Sequence, residues 1–305
     1  MTRETKANLA ASVAAQLLNR AKQTGDDYQT LLTSYCLERF LYRLAMSDRR
    51  EQFVLKGAML LRLWSERPYR ATLDLDLLRR GDGAFDAIRD DLRAIAATPV
   101  PPDAVDFDGE RIRLAAIRAE DEYAGTRATL SARCGKARLT LQIDMGVADA
   151  VWPPPQPCVF PTLLDFPAPE PLAYPREAVV AEKFEAMVVL GDRNSRIKDF
   201  FDLHHLASRF AFDRAILSEA VRQTFERRRT PVPQTAPLAL TRDYWDNPSR
   251  PAQVRAFARR ARLEVPTGFA DECVRMLDAF LSPVLEDLHD RGTTAGTWSP
   301  GGPWR

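Results

Sequence analysis

The chain has 305 residues, 45% of them hydrophobic and 28% charged, which is the composition of a folded globular protein and excludes a disordered or fibrous one. Its 43 Lys and Arg residues are balanced by 42 Asp and Glu residues, so it is not a globally basic coat for nucleic acid. Four widely spaced cysteines without a CxxC pair argue against a zinc site or a disulfide framework, and no apolar run approaches the about 20 residues that cross a membrane, so we expect a soluble protein of the reducing cytoplasm.

Helical periodicity dominates the first fifty residues. Apolar side chains recur at i, i+3 and i+4 over residues 9–21 and 28–46, and a Gly25-Asp26-Asp27 break separates the two stretches. We therefore predict an N-terminal helical cap over residues 1–52.

The pattern changes over residues 53–165, for which we predict an α+β domain. Its predicted elements are an apolar run over 53–64, strands over 72–77, 112–117, 127–133 and 137–145, and a helix over 84–97. A turn at Cys134-Gly135-Lys136 joins the last two strands, and this pattern favours an antiparallel sheet.

Prolines between residues 152 and 175, three of them consecutive, exclude a helix interior or a central strand and indicate a domain junction. Beyond the junction we predict an all-α domain over 166–305. Its predicted helices cover residues 177–190, 197–210, 213–228, 251–260 and 270–288. Residues 292–305 are rich in Gly, Thr and Pro, and we expect them to form a mobile tail.

Two acids share one face of the strand over 72–77. The period of two places Thr72, Asp74 and Asp76 together and the intervening leucines on the opposite face. Carboxylates about 7 Å apart on one strand repel each other unless a divalent cation such as Mg²⁺ binds both. Asp144 is on the polar face of a second strand, so three acids converge if the two strands are neighbours. A solvated strand face is the alternative explanation for a lone DxD pattern.

A glycine turn precedes this strand. Gly57 allows backbone amides to approach a phosphate, and Lys56 and Arg70 add positive charge nearby. Taken alone, these residues are better explained as a glycine at a helix start and ordinary surface charges.

A lysine and an aspartate point inward on consecutive predicted helices. At about 100° per residue, Lys183 falls beside an apolar face, whereas Glu182 and Glu185 point away. A buried ammonium group is costly without an anion, so Lys183 should meet a carboxylate or a bound phosphate. Asp199 lies on the inward arc of the next helix and Asp202 at its border. A structural ion pair and a phosphate-binding site both remain open.

As a set, these motifs resemble the AbiEii-type nucleotidyltransferase toxins of the DNA polymerase β-like nucleotidyltransferase superfamily. The resemblance rests on four blocks in the order of the family, LKGAMLLRLWSERPYRATLDLDLL, LTLQID, YPREAVVAEKFEAM and RIKDFFDL, which span residues 55–203. It implies an α+β fold with a polymerase-β-like palm, N-terminal helices and an all-α C-terminal domain. The chain departs from the superfamily at Ala58, where Gly or Ser is common, while Thr72 stands where the family has Ser or Thr before the acids.

The resemblance also implies a set of site residues. Asp74 and Asp76 would be the ligands of Mg²⁺ or Mn²⁺, and Lys183 and Asp199 would be active-site residues that approach the palm acids. Asp144 is a candidate third ligand or base. The candidate nucleotide-binding residues are Lys56, Gly57, Arg70, Thr72 and Lys183.

The function implied by the resemblance is transfer of a nucleoside monophosphate from an NTP to RNA, in particular to the 3′ acceptor end of tRNA, with a block of translation. It also implies phage defence and a cognate antitoxin encoded nearby. An RNA acceptor needs positive surface, for which the arginines of the palm hairpins and of the helical domain are candidates, with solvated faces as the alternative. Nucleotide transfer to a protein or a small molecule, and a catalytically silent module that binds a nucleotide or a partner, are the competing functions.

Overall fold

The computed structural model describes residues 3–65, 72–117, 125–147, 151–290, 292 and 294–305. The chain forms two compact units. The first comprises Met1–Ala150 and Pro155–Tyr174, and the second comprises Val151–Pro154 and Pro175–Arg305. The predicted division into three domains at residues 52 and 165 stays a prediction.

Two helices open the first unit: α1 (Arg3–Thr24) and α2 (Tyr28–Met46). The carboxylate of Asp27 accepts a hydrogen bond of 2.8 Å from the backbone N–H of Thr30 and so caps α2. Both predicted helices are confirmed, because their apolar periodicity and the break between them are local signals.

One mixed sheet with flanking helices forms the rest of the first unit. Its elements are β1 (Phe53–Lys56), α3 (Leu60–Trp64), β2 (Asp74–Arg79), α4 (Phe85–Ala97), β3 (Val105–Ile117), β4 (Gly125–Cys134), β5 (Ala137–Val147), β6 (Gln156–Pro157) and β7 (Leu172–Ala173). The strand order is β3-β4-β5-β2-β1-β7-β6. The β2–β5 and β1–β7 pairs are parallel, so the expectation of an antiparallel sheet is wrong for them. The chain passes through α4, β3 and β4 before β5 pairs with β2, which allows both strands to run in one direction.

The two faces of the central strands differ in character. Leu75 and Leu77 of β2 and Leu141 and Ile143 of β5 are fully buried, while the residues between them are partly exposed. Helix α4 packs against β3, and α2 contacts β5 and α4. The alternation of the sequence thus produces a core face and a polar face, and we call the latter the palm face.

The second unit is mainly helical. Its elements are α5 (Arg176–Leu190), α6 (Ile197–Arg209), β8 (Phe212–Asp213), α7 (Arg214–Arg228), α8 (Arg242–Asp246), α9 (Arg250–Ala261), α10 (Phe269–His289) and β9 (Thr297–Trp298). Helix α5 packs against α6 and α7, and α10 packs against the same two helices. The predicted helices are confirmed, and the short β8–β9 pair is an addition to them. No helix within the described ranges is both long and apolar enough to cross a lipid bilayer.

The C-terminal segment is packed, so the expectation of a mobile tail is wrong. Trp298 is 1% exposed, and its Nε1–H donates a hydrogen bond of 2.7 Å to the carbonyl of Ala207. The ring of Trp304 stacks on Phe280 with centroids 5.7 Å apart. Two tryptophans bury enough apolar surface to hold a segment whose composition otherwise resembles a linker.

Candidate active site

A row of charged side chains crosses four neighbouring strands of the palm face. In the strand register, Lys56 of β1 lies opposite Asp76 of β2, Asp76 lies beside Asp144 of β5, and Asp144 lies opposite Arg127 of β4. Residues paired in this way project from the same face of a sheet. With strands about 4.8 Å apart, the row spans about 14 Å and carries two cations at its ends and two carboxylates between them.

Asp74 adds a second carboxylate to β2. It lies two residues before Asp76 on the same partly exposed face, beside Gln142 of β5. The hydroxyl of Thr72 donates a hydrogen bond to Asp74 Oδ1. Thr72 therefore orients the Asp74 carboxylate, a contact distinct from the phosphate contact that the resemblance implies for it.

Gly57 forms the turn between β1 and α3. Its φ is +69°, and a Cβ atom at this position would lie 1.9 Å from Asp76 Oδ2. The backbone of the turn therefore passes directly against the Asp76 carboxylate, an approach that only a residue without a side chain allows. Ala58 is buried, so packing explains a small side chain at the position where the superfamily has Gly or Ser.

Lys56 stands at the end of β1, next to the glycine turn. Its Nζ lies 5.2 Å from the ring centroid of Tyr174, a cation–π contact that helps to fix the ammonium group at this edge. Arg70, the other predicted cation, lies outside the described residues.

Asp144 is held by an arginine. Arg127 Nε and Nη2 lie 2.8 Å and 2.7 Å from the two carboxylate oxygens, and Gln142 Nε2 donates to Oδ2 at 3.2 Å. The side chain of Asp144 is 15% exposed and that of Arg127 is 45% exposed. The expected role of Asp144 as a third metal ligand or base stays a prediction, and sequence reasoning missed its partner.

A signal for this partner was present in the sequence. The two-residue turn at Gly135 and Lys136 pairs Cys134 with Ala137, and each step away from the turn matches one residue of β4 with one residue of β5. Arg127 and Asp144 are each seven residues from that first pair, so counting along the hairpin places them opposite each other.

The donor set at Asp74 and Asp76 fits Mg²⁺. Mg²⁺ prefers oxygen ligands and is usually bound through one or two carboxylates together with substrate phosphates and water. Within the part of the chain that the structure describes, no group of three or more His, Cys, Asp and Glu side chains is arranged to hold a metal ion. Two carboxylates beside a glycine turn thus suit a metal that phosphates help to bind, rather than one enclosed by protein alone.

The second unit contains an ion-pair cluster on α5 and α6, the predicted Lys183 site. Lys183 Nζ lies 2.6 Å from Asp199 Oδ1 and 2.7 Å from Asp202 Oδ2, while Arg196 Nε lies 2.7 Å from Asp199 Oδ2. Burial alone would raise the pKa of the fully buried Asp199, but the charges of Lys183, Arg196 and Lys198 outweigh it and hold that pKa below its usual value. The expected pairing is present, and Asp202 joins it.

Glu185 departs from the sequence analysis, which placed it on the outer side of its helix. It is fully buried, its Oε2 lies 2.6 Å from Arg228 Nη1, and the hydroxyl of Thr230 donates to its other oxygen. The expectation was wrong because α5 packs against both α6 and α7, so it has two buried sides rather than one.

Two adjacent carboxylates on a mixed sheet, beside a strand–glycine–helix turn, form the candidate active site of this α+β fold. Residues 39–286 match the family model described as the nucleotidyl transferase AbiEii toxin of type IV toxin–antitoxin systems. The match covers most of the chain, and the protein belongs to this family. It is therefore a nucleotidyltransferase toxin, with an NTP as substrate and an antitoxin as partner.

Solved structures show the same fold. The MenT4 nucleotidyltransferase toxin of Mycobacterium tuberculosis H37Rv is 19% identical with a TM-score of 0.50, over 92% of this chain and 98% of MenT4. JHP933 from Helicobacter pylori is 14% identical with a TM-score of 0.50, over 87% of this chain and 95% of JHP933. Among curated proteins no match was found.

Proposed function

We propose that this protein transfers a nucleoside monophosphate from an NTP to RNA, at the 3′ acceptor end of tRNA, and so blocks translation in the cytoplasm. The transfer depends on Mg²⁺, which Mn²⁺ can replace. The observation that carries the proposal is the close approach of the Gly57 turn to Asp76, which brings the backbone of a strand–glycine–helix turn against a pair of adjacent carboxylates.

The proposed role of each residue on the palm face follows from its charge. Asp74 and Asp76 would hold Mg²⁺, which supplies positive charge to the phosphates of the NTP when it is bound. Lys56 adds positive charge at the glycine turn, and Thr72 keeps the Asp74 carboxylate in place. These groups are already oriented before the substrate binds, which is the main way in which enzymes stabilise a developing charge.

The reaction is an in-line displacement at the α-phosphorus. The oxygen of the acceptor hydroxyl forms a bond to this phosphorus while the bond to the bridging oxygen of pyrophosphate breaks. Pyrophosphate leaves with the electron pair, and the hydroxyl proton passes to water.

Lys183 and Asp199 enter the proposal through the family resemblance. Lys183 is a cation with a side chain only 15% exposed, and Asp199 and Asp202 fix its ammonium group. A cation with a fixed position suits the neutralisation of phosphate charge, and Asp199 then serves to orient it. A purely structural ion pair is the alternative, and the Lys183→Met variant distinguishes the two roles.

The direct test is incubation of the purified protein with total tRNA, Mg²⁺ and each α-labelled NTP in turn. Asp76→Asn removes a proposed metal ligand, and Asp106→Asn is the matched control, since it makes the same chemical change at an exposed site of β3. We expect label on tRNA with the wild type and the control and none with Asp76→Asn. A translation extract that has been preincubated with the wild-type protein should then stop protein synthesis.

Periodate treatment of the tRNA destroys its terminal diol and tests the position of transfer. We expect treated tRNA to remain unlabelled. Label on treated tRNA would point to an internal site, and label on protein or on small molecules alone would establish the competing acceptors. If the folded protein labels no acceptor but still binds NTP, the silent binding module becomes the better description.

A further inference from the structure

We propose that Arg127 binds a phosphate of the polynucleotide acceptor, and that Asp144 is the positioning residue that aims it. This inference rests on the proposed transfer to RNA and names the contact that receives the acceptor. It gives Asp144 a role other than that of a third metal ligand.

The order of charges across the sheet separates two sides of the site. Lys56 and the Gly57 turn lie on one side of Asp76, and Arg127 lies on the other side, beyond Asp144. In an in-line displacement the leaving group and the attacking oxygen stand on opposite sides of the phosphorus. If the triphosphate lies at the glycine turn, the acceptor approaches from the side of Arg127.

The geometry of the Arg127–Asp144 pair suits phosphate recognition. Asp144 binds one edge of the guanidinium group through Nε and Nη2, and the side chain of Arg127 is still 45% exposed. Two parallel hydrogen bonds fix the plane of the group, so less conformational entropy is lost when the group binds a ligand. A planar guanidinium group with a fixed orientation binds phosphate oxygens well.

A second arginine extends the positive surface away from the acids. Arg113 of β3 lies opposite Thr129, which is two residues from Arg127 on the same side of β4. Arg113 is exposed, and the two arginines are diagonal neighbours on the palm face. A chain of phosphates is a ligand that two cations in such an arrangement can contact in succession.

The two roles for Asp144 predict different behaviour. A metal ligand at this position would share its carboxylate between the ion and Arg127, and its loss would raise the Mg²⁺ concentration that transfer requires. A positioning residue leaves the Mg²⁺ requirement unchanged, and its loss weakens binding of the acceptor, as does the loss of Arg127.

The first experiment measures binding of tRNA to the full-length protein by fluorescence anisotropy, without NTP or Mg²⁺. Arg127→Ala should raise the dissociation constant about tenfold, because it removes a charge-assisted contact. The slope of log affinity against log salt should fall by about 0.7, the value for one phosphate of a single strand. Arg127→Lys should keep the slope but not the full affinity, since it retains the charge and loses the planar fork.

Arg93→Ala is the matched control. Arg93 of α4 is 42% exposed and also pairs with a carboxylate, Glu110, at 3.2 Å. We expect tRNA affinity and salt dependence equal to those of the wild type. Thermal unfolding of each variant shows whether it is folded. The double variant Arg127→Ala, Asp144→Asn leaves neither partner of the ion pair unpaired. It should bind tRNA no more weakly than Arg127→Ala alone.

The second experiment measures transfer by Asp144→Asn at varied Mg²⁺, NTP and tRNA. We expect a raised KM for tRNA, with the KM for NTP and the half-saturating Mg²⁺ concentration unchanged. A raised Mg²⁺ requirement with unchanged tRNA affinity would overturn the inference and establish Asp144 as a metal ligand. Wild-type tRNA affinity in Arg127→Ala, while the wild type labels RNA, refutes the inference alone, whereas absence of any label on RNA with the wild type refutes the proposed function.

Discussion

Substitution of Gly57 by alanine tests whether the close approach of the glycine turn to Asp76 is needed for the reaction. The new Cβ would lie 1.9 Å from Asp76 Oδ2, and an ordinary contact begins at 3.4 Å, so the oxygen has to move by about 1.5 Å. A shift of 1 Å in a catalytic group can cost about a hundredfold in rate. We therefore expect Gly57→Ala to lose at least about a hundredfold in kcat for nucleotide transfer.

The same substitution also affects stability. Alanine at a φ of +69° costs about 1–2 kcal/mol, and the collision adds about 1–3 kcal/mol. Gly81→Ala is the matched control, since Gly81 has a φ of +85° and nothing within 4 Å of its Cβ position. It should lose only the backbone term and keep the transfer rate of the wild type.

The assays are thermal unfolding and transfer of labelled nucleotide to tRNA, with both variants measured at a temperature where each is folded. A Gly57→Ala protein that is folded and transfers within about threefold of the wild-type rate would refute the reasoning. Equal losses of activity in both variants would show that strain, and not the position of Asp76, is responsible.

Three further predictions concern the second unit. Trp298→Ala should lower the free energy of unfolding by about 3–5 kcal/mol in urea denaturation, because a fully buried indole is lost; a loss below about 1 kcal/mol would contradict the packing of the tail. Burial lowers the pKa of His204 and of His205, so the unfolded chain binds more protons and stability should fall as the pH drops below about 6.5; replacement of both by Gln should flatten this dependence in pH-dependent melts. Lys183→Met should lower the free energy of unfolding by about 3–5 kcal/mol, because Asp199 and Asp202 lose the cation that they share. It should also reduce nucleotide transfer at least about a hundredfold in the folded fraction. A folded variant with full activity would show that the ion pair is structural only.

The sequence by itself determined the local features of this protein. The helix over Tyr28–Met46 and the faces of β2 and β5 follow from side-chain period alone, since each is set by neighbours a few residues apart. The AbiEii-type motifs likewise indicated the family, which the family model over residues 39–286 confirms.

Other features depended on contacts between residues far apart in the chain. Whether β5 lies beside β2 is decided by the path through α4 and two further strands, and no short-range period encodes that path. The two buried sides of α5 exist only because α6 and α7 flank it. Composition predicts a mobile tail around Trp298, whereas the tertiary structure buries this side chain and stacks Trp304 on Phe280.

The candidate site shows the same division. The sequence placed Asp74 and Asp76 on one face, because alternation along a strand is fixed by backbone geometry. Only the tertiary structure brought Gly57 against Asp76 and Arg127 against Asp144, since strand pairing sets which side chains meet across a sheet. The amino-acid sequence thus determined which chemical groups are present and on which face of a strand each one lies. The pairing of strands determined which of these groups contact each other.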